Sequence, residues 1–270
     1  MSDILNSIIL GIVEGITEFL PVSSTGHLIV TQEILGFKGS DTFEIVIQLG
    51  GVLAVLWFYF QTLWQQAKTV RDDRQVQRFW MGVILAFLPA AFVGLALHSY
   101  ITHYLFNAVT VAISLIMGGV VMWWIEGRPQ REVATSQLEH ITPKQAFAIG
   151  CAQLCSLIPG VSRSASTIMG GMLVGLNRPT ATGFSFFLSI PTLGAASLYS
   201  LMKDMQGVGD HGLLNIGIGL FTSFIVSLMA IGWLLRYVSK HSFRGFAIYR
   251  IVAGVVILAL TYSGFLQVSA

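Results

Sequence analysis

Six runs of apolar residues in this sequence are each long enough to cross a lipid bilayer as a helix. About 20 helical residues span the roughly 30 Å of the hydrocarbon core. The six runs lie near 41–60, 80–101, 107–125, 180–201, 212–235 and 246–267. Only 10% of the 270 residues are charged, which leaves too little polar surface to cover a water-soluble globule. The sequence therefore predicts an all-α polytopic membrane protein with six transmembrane helices.

Two further apolar segments, 4–36 and 144–176, are interrupted in the middle by proline and small polar residues. The interruptions read FLPVSSTGH at 19–27 and LIPGVSRSAS at 157–166. A helix, a break and a second helix are typical of a re-entrant helical hairpin. Irregular backbone at membrane depth is tolerated only where protein or a wet cavity satisfies its amide groups. Both breaks are therefore expected to point inward rather than toward lipid.

The basic residues of the connecting loops predict the orientation, because lysine and arginine are retained on the cytoplasmic side. The loops rich in these residues, and so predicted to be cytoplasmic, are 61–79, 126–145 and 236–245. The loops 102–106 and 203–211 carry almost no basic charge and are predicted to lie outside. Both termini then lie outside, and the two hairpins enter the membrane from opposite sides.

Opposite entry of the two hairpins, each followed by three spans, predicts an inverted-topology repeat. The first repeat is 1–125, the cytoplasmic linker is 126–143 and the second repeat is 144–270. Inverted repeats with paired broken helices place their site near the midplane of the bilayer, where the two breaks meet. The functional site is therefore expected to combine residues from both breaks.

Glu14 and Glu18 are four residues apart, so a helix places their carboxylates on one face about 5–6 Å apart. Each ionised group near the bilayer centre costs on the order of 3 kcal/mol. This cost points to compensation by a cavity, a cation, a shared proton or an opposite charge. The simpler alternative is a carboxylate pair at the membrane interface, near the end of the helix.

A short run of small polar residues, SSTGH, closely follows the proline of the first break. A serine hydroxyl is a weak nucleophile until a base takes its proton, and either Glu18 or His27 could be that base. Imidazole suits the role because it ordinarily titrates near neutral pH. Ser24 is the predicted nucleophile, and phosphorylation of His27 itself is the alternative. The neighbouring hydroxyls, Ser23 and Thr25, either bind substrate or cap the broken helix.

Arg163 lies in the second break, and its planar guanidinium suits bidentate binding of phosphate oxygens. The hydroxyls of Ser162, Ser164 and Ser166, together with the amides at the start of the following half-helix, would extend an anion-binding cradle. The structural alternative is a buried ion pair between Arg163 and one of the two glutamates. Both interpretations hold if the substrate displaces the ion pair.

The segments EGITEFLPVSSTGH at 14–27 and PGVSRSAS at 159–166 resemble the two signature motifs of the bacterial undecaprenyl-diphosphate phosphatases of the bacitracin-resistance type. The resemblance covers essentially the whole chain. It implies hydrolysis of undecaprenyl diphosphate to undecaprenyl phosphate and inorganic phosphate, which recycles the carrier lipid of peptidoglycan synthesis. It also implies a location in the bacterial inner membrane, with the active site opening to the periplasm, and dependence on a divalent cation, Mg²⁺ or Ca²⁺.

The same resemblance implies roles for individual residues. Glu14 and Glu18 would bind the metal or transfer protons, and Ser24 and His27 would act as nucleophile and proton-transfer group. Arg163 would clamp the phosphate. The type-2 phosphatidic acid phosphatases also use Ser-Arg elements, but the catalytic histidine and aspartate that follow there are missing from SASTIMGGMLVG.

Other functions and partners are judged from the same features. A transporter or flippase for a polyprenyl phosphate or another anionic substrate is the alternative function, because inverted repeats are usual in alternating-access carriers. A formal net charge of +2 gives no basic surface of the kind that binds nucleic acid, so nucleic acid is not an expected partner. The sequence is compatible with either a monomer or a homodimer.

Overall fold

The structure is a computed structural model that describes residues 2–37, 41–128, 135–203 and 213–266. The described residues form helices and turns without a β-strand, which confirms the all-α prediction. The α-helices are α1 Ser2–Thr17, α2 Ser24–Leu35, α3 Asp41–Phe58, α4 Phe60–Thr69, α5 Arg74–Tyr104, α6 Ala108–Glu126, α7 Pro143–Gln153, α8 Arg163–Leu173, α9 Arg178–Lys203, α10 Leu213–Val238 and α11 Arg244–Tyr262, with short 3₁₀ helices at Leu138–His140 and Leu154–Leu157.

The long helices coincide with the apolar runs of the sequence. Five of them in the described part of the chain, α5, α6, α9, α10 and α11, are long and apolar enough to cross a membrane. Helices α3 and α4 meet at a bend of 66° and make a sixth crossing if the bent pair is a single span. The chain is therefore a multi-pass membrane protein.

The segment 61–79, predicted to be a loop, is largely helical. Helix α4 continues to Thr69, and α5 begins at Arg74 rather than near residue 80. Polar residues lower the hydropathy of α4, but its buried Gln66 has a partner, because the Trp80 indole N–H donates to its side-chain oxygen at 3.1 Å. The Asp73 carboxylate accepts the Gln75 amide at 2.7 Å and caps α5. Both helices thus extend beyond the purely apolar region, and Asp73 caps the start of α5.

The two interrupted segments each form a pair of short helices that pack together, α1 with α2 and α7 with α8. Ser23 (φ 73°) and Ser162 (φ 77°) adopt a left-handed backbone immediately before α2 and α8. Gly160 (φ 91°) also needs this conformation, and a Cβ there would lie 2.5 Å from the Val111 carbonyl oxygen of α6. The chain can therefore reverse at the second break and still pack directly on α6.

Helix α9 passes through the centre of the largest hydrophobic core. Its Phe184, Phe186 and Phe187 are fully buried. Phe19, from the first break, is also fully buried and meets Phe186 edge-on, with the ring centroids 5.4 Å apart. This contact fixes the first break against α9. Helix α8, which follows the second break, also packs on α9.

A buried ion pair connects the ends of three long helices. The Arg178 guanidinium at the start of α9 makes a bidentate contact with the Glu126 carboxylate at the end of α6, with N–O distances of 2.9 and 2.6 Å. The Phe243 amide, just before α11, donates to the same carboxylate at 2.8 Å. The Glu126 carboxylate is thus satisfied although its side chain is fully buried.

Candidate active site at the two helix breaks

A chain of polar contacts connects the first break to the second. The Ser24 hydroxyl, at the start of α2, donates to Oε2 of Glu18 at 2.7 Å. The Arg163 Nη2, at the start of α8, donates to Oε1 of the same carboxylate at 3.1 Å. All three side chains are buried or nearly so, which strengthens these contacts relative to water. The predicted meeting of both breaks is therefore present, and Glu18 is the glutamate that pairs with Arg163.

The Arg163 guanidinium is held from a second side by α9. Its Nη1 donates to the Ser185 carbonyl at 3.1 Å and to the Ser185 hydroxyl at 3.3 Å. The Ser185 hydroxyl also lies 2.7 Å from that of Thr167. In contrast, the buried Nε of Arg163 has no hydrogen-bond partner. The orientation of the guanidinium is thus fixed by protein contacts, while its Nε–H remains unpaired.

The serines around Arg163 make contacts mainly with the backbone. Ser164 donates to the Leu20 carbonyl at 2.9 Å and so joins the two breaks. The Ser162 hydroxyl caps α8 by accepting the Ala165 amide at 3.3 Å, and Ser166 donates to the Ser162 carbonyl at 3.0 Å. These serines shape the second break, and their predicted role in substrate binding stays a prediction.

His27 is engaged through both ring nitrogens. Its Nδ1 lies 2.7 Å from the Ser23 carbonyl oxygen, which can only accept, so Nδ1 carries the proton. Its Nε2 lies 2.6 Å from the Tyr249 hydroxyl of α11, which is the donor when the imidazole is neutral. The two rings also stack, with centroids 5.6 Å apart. The Ser24 hydroxyl thus contacts Glu18 and not His27. The imidazole stabilises the turn between Ser23 and α2.

Glu14 is a buried carboxylate without a hydrogen-bond partner. It is 1% exposed, and neither carboxylate oxygen accepts a hydrogen bond. An ionised carboxylate is very costly in such a place unless a cation, a proton or a ligand compensates its charge. Within the described residues, no group of three or more histidine, cysteine, aspartate or glutamate side chains could hold a metal ion. Thr25, also predicted to be in the site, lies partly buried in the first turn of α2.

Helix α11 contributes two residues that the sequence interpretation missed. Arg250 is fully buried, and its Nη atoms donate to the carbonyls of Pro21 at 3.1 Å, Gly160 at 3.1 Å and Val161 at 2.9 Å. One guanidinium therefore bridges both breaks. Tyr249, its neighbour, holds His27. The signal was available for Arg250, because a charged residue inside the apolar run 246–267 is expected to be functional or tightly paired.

The sequence is also similar to known proteins. Residues 7–256 match the family described as bacitracin resistance protein BacA. A Deinococcus radiodurans protein named undecaprenyl-diphosphatase is 50% identical over 270 residues, with 98% of each chain covered. A Methylobacillus flagellatus protein of the same name is 48% identical over 262 residues, with 95% of this chain and 97% of that protein covered. Since these matches span nearly the whole sequence, the chain belongs to the bacitracin resistance protein BacA family.

Proposed function

We propose that this protein hydrolyses undecaprenyl diphosphate to undecaprenyl phosphate and inorganic phosphate, and so recycles the lipid carrier of cell-wall synthesis. The observation that carries the proposal is the buried series of contacts from the Ser24 hydroxyl through Glu18 to Arg163. It supports the proposal because it brings together a candidate nucleophile, a candidate base and a candidate phosphate-binding group. The substrate is taken from the family and from the name of the relatives.

In the proposed reaction, the diphosphate competes with Glu18 for the Arg163 guanidinium. The freed carboxylate then takes the proton of Ser24, whose Oγ attacks the terminal phosphorus. The bond between that phosphorus and the bridging oxygen breaks, and undecaprenyl phosphate leaves with the electron pair. Water then attacks the phosphoserine, the bond between phosphorus and Oγ breaks, and inorganic phosphate leaves with the oxygen of that water. Oγ takes back the proton held by Glu18, which restores the Ser24 hydroxyl. Arg163 would stabilise the charge that develops on the transferred group.

The proposal assigns the nucleophile to Ser24 rather than to His27. Both nitrogens of the imidazole are occupied, Nδ1 by the Ser23 carbonyl and Nε2 by the Tyr249 hydroxyl. Attack by His27 would require one of these contacts to break first. Ser24, in contrast, already donates its proton to a carboxylate. The role given to His27 is to hold the turn that presents Ser24.

Glu14 is the residue proposed to hold a divalent cation, Mg²⁺ or Ca²⁺. Its two unpartnered oxygens are hard ligands of the kind these ions prefer. Each oxygen of Glu18 already accepts one hydrogen bond, so water and phosphate oxygens would supply most of the remaining coordination. A bound cation would supply neutralisation of the negative charge on the diphosphate.

The proposal also includes an inverted repeat of 1–125 and 144–270 in the bacterial inner membrane, with the site opening to the periplasm. The helix contacts support it, because contacts made by helices of the first repeat are matched by contacts of the equivalent helices in the second repeat. Helix α1 packs on α10, and its counterpart α7 packs on α5. The left-handed residues Ser23 and Ser162 occupy equivalent positions before α2 and α8. A reporter fused to the C-terminus tests the orientation and is expected to be active only in the periplasm.

The test of the reaction is phosphate release from undecaprenyl diphosphate by the purified, detergent-solubilised protein. We expect Glu18→Gln to lower kcat by about 10²–10⁴, the usual loss when general-base catalysis is removed. Ser24→Ala removes the nucleophile itself and should lower kcat at least as much. Ser239→Ala is the matched control, because Ser239 is exposed, lies just after α10 and donates to the Arg236 carbonyl of that helix. Activity within twofold of the unaltered protein in Ser24→Ala would contradict the assignment.

A second measurement separates the two nucleophiles. Substrate labelled in its terminal phosphate is mixed with the protein and the reaction is quenched with acid. A serine phosphate ester survives acid, whereas a phosphohistidine is hydrolysed. We expect acid-stable label on the peptide that contains Ser24, and acid-labile label on the peptide that contains His27 would reverse the assignment.

A further inference from the structure

An open apolar groove lies beside the second break, between α6 and the α7–α8 pair. Its volume is about 400 Å³. One wall includes Met117 and Val121 of α6, and the other includes Met169 and Leu173 of α8. Most of the lining is hydrocarbon. The groove can therefore bind an apolar ligand, and the residues at its two ends indicate the kind of ligand.

One end of the groove is formed by the second break itself. Val161 lines it, and the carbonyl of this residue accepts the Arg250 guanidinium at 2.9 Å. Ser114 and Ser166 also line it, and Ser166 donates to the backbone of Ser162, next to Arg163. The serines at the break give way to purely apolar side chains along α8. This order of polarity matches a ligand with a phosphate head and a hydrocarbon tail.

The other end of the groove leads toward lipid. Ten residues of helix separate Arg163 from Leu173, which is roughly 15 Å at 1.5 Å per residue. Met117, Val121 and Leu173 are 58%, 46% and 47% exposed, respectively, so the groove is open along its side. A chain that entered at the break and followed α8 would leave the protein into the bilayer. A volume of about 400 Å³ holds only part of a 55-carbon tail.

Two other apolar cavities of similar size lack this connection. One, of about 380 Å³, is lined by Leu53, Trp57 and Phe224 among others. The second, of about 430 Å³, lies around Leu213 and Gly217. Neither is lined by a residue of either break, so they resemble ordinary lipid-facing depressions. They also provide matched controls.

We propose that the groove beside α8 binds the isoprenoid units of the substrate that follow the diphosphate, while the rest of the tail remains in the bilayer. The inference rests on the proposed hydrolysis of a polyprenyl diphosphate. It assigns to the groove the selection of long isoprenoid substrates, and to α8 a double role, since one face carries Arg163 and another contacts the tail.

The two cysteines of the chain provide a direct test. Both are exposed free thiols, but Cys155 lines the groove and Cys151 does not. The purified protein is treated with N-ethylmaleimide, with and without undecaprenyl phosphate, and modification of each cysteine is followed by mass spectrometry. We expect the lipid to slow modification of Cys155 at least about fivefold and to leave that of Cys151 unchanged. Equal protection of both cysteines, or of neither, would overturn the proposal.

A kinetic test distinguishes failure of this inference from failure of the proposed function. Leu173→Trp fills the far end of the groove, and Leu53→Trp fills the control cavity at a similarly exposed position of 45%. We expect Leu173→Trp to raise KM for undecaprenyl diphosphate about tenfold. KM for geranyl diphosphate, and kcat for both substrates, should stay within about twofold of the values of the unaltered protein. Leu53→Trp should leave KM for both substrates unchanged. If the unaltered protein hydrolyses neither substrate, the proposed function fails.

Val121→Trp, on the opposite wall, provides a second variant should Leu173→Trp unfold. Thermal unfolding of each variant shows which of them retain the fold. If the folded groove variants leave the ratio of the two KM values unchanged, or if Leu53→Trp changes it as much as they do, the groove does not hold the tail.

Discussion

Replacing Arg250 with methionine would remove the side chain of α11 that donates to the backbone of both helix breaks. The guanidinium donates to Pro21, Gly160 and Val161 over distances of 3.1 Å or less. Hydrogen bonds that involve a charged group contribute about 1.5–3 kcal/mol each. The variant also avoids burying a charge, which costs several kcal/mol. In the unaltered protein, most of the free energy gained from these hydrogen bonds offsets the cost of burying the charge. We therefore expect the variant to lose only about 2–4 kcal/mol in the free energy of unfolding.

The loss should be visible as stability and as local opening. A decrease of 2–4 kcal/mol corresponds to roughly 5–10 °C in the apparent Tm of a chain of this size. Hydrogen exchange should rise at 18–23 and at 154–162, because each break loses an anchor. Phosphate release should decrease as well, since Glu18 and Arg163 depend on the two breaks staying in register. Arg250→Lys keeps the charge but not the planar fork, so we expect an intermediate effect.

A glycine substitution tests the same contact from the other side. A methyl group at Gly118 would overlap the Arg250 guanidinium, so Gly118→Ala should displace it and reproduce the opening of both breaks. Gly217→Ala is the matched control, because nothing lies within 4 Å of a Cβ at this helical position. An Arg250→Met variant with unchanged Tm and unchanged exchange in both breaks would refute the bridging role.

Two further predictions concern Glu14 and Tyr249. Glu14→Gln should raise the apparent Tm by a few degrees in cation-free buffer, because an unpartnered buried carboxylate is removed. The same variant should lose the stabilisation by Mg²⁺ or Ca²⁺, whereas the control Glu33→Gln, at an exposed position, should retain it. Unchanged cation stabilisation in Glu14→Gln would exclude Glu14 as a ligand. Tyr249→Phe keeps the ring stacked on His27 but removes one hydrogen bond, so we expect about 1 kcal/mol less stability and less than a tenfold loss of kcat. A loss as large as that of Ser24→Ala would instead make the Tyr249 hydroxyl a participant in the reaction.

The parts of the structure that follow from local sequence were predictable. The spans depend on the length of apolar runs, and the breaks depend on proline and small polar residues within such runs. Pairing of Arg163 with a glutamate followed from the cost of leaving either charge unpaired in the membrane. The ion-pair alternative for Arg163 is therefore confirmed, with Glu18 as the partner.

The parts that depend on how distant helices rotate against one another were not predictable. The contact between His27 and Tyr249 joins residues 222 positions apart, and no spacing rule connects them. The contacts of Ser185 with Arg163 likewise depend on the rotation of α9, whose sequence has hydroxyl residues on several faces. Arg250 is a different case, because its charge was visible and only its partners, all backbone carbonyls, could not be read from side-chain chemistry.

The pairing of Glu18 with Arg163 has a consequence for the proposed mechanism. While the ion pair is intact, each charge lowers the cost of burying the other, and the Glu18 carboxylate is shared between Ser24 and Arg163. A diphosphate offers Arg163 more negative charge than a single carboxylate does, so binding of substrate would release Glu18 at the moment when a base is required. Activation of Ser24 is then coupled to occupancy of the phosphate site. A water molecule that enters the empty site meets a neutralised pair rather than an activated nucleophile.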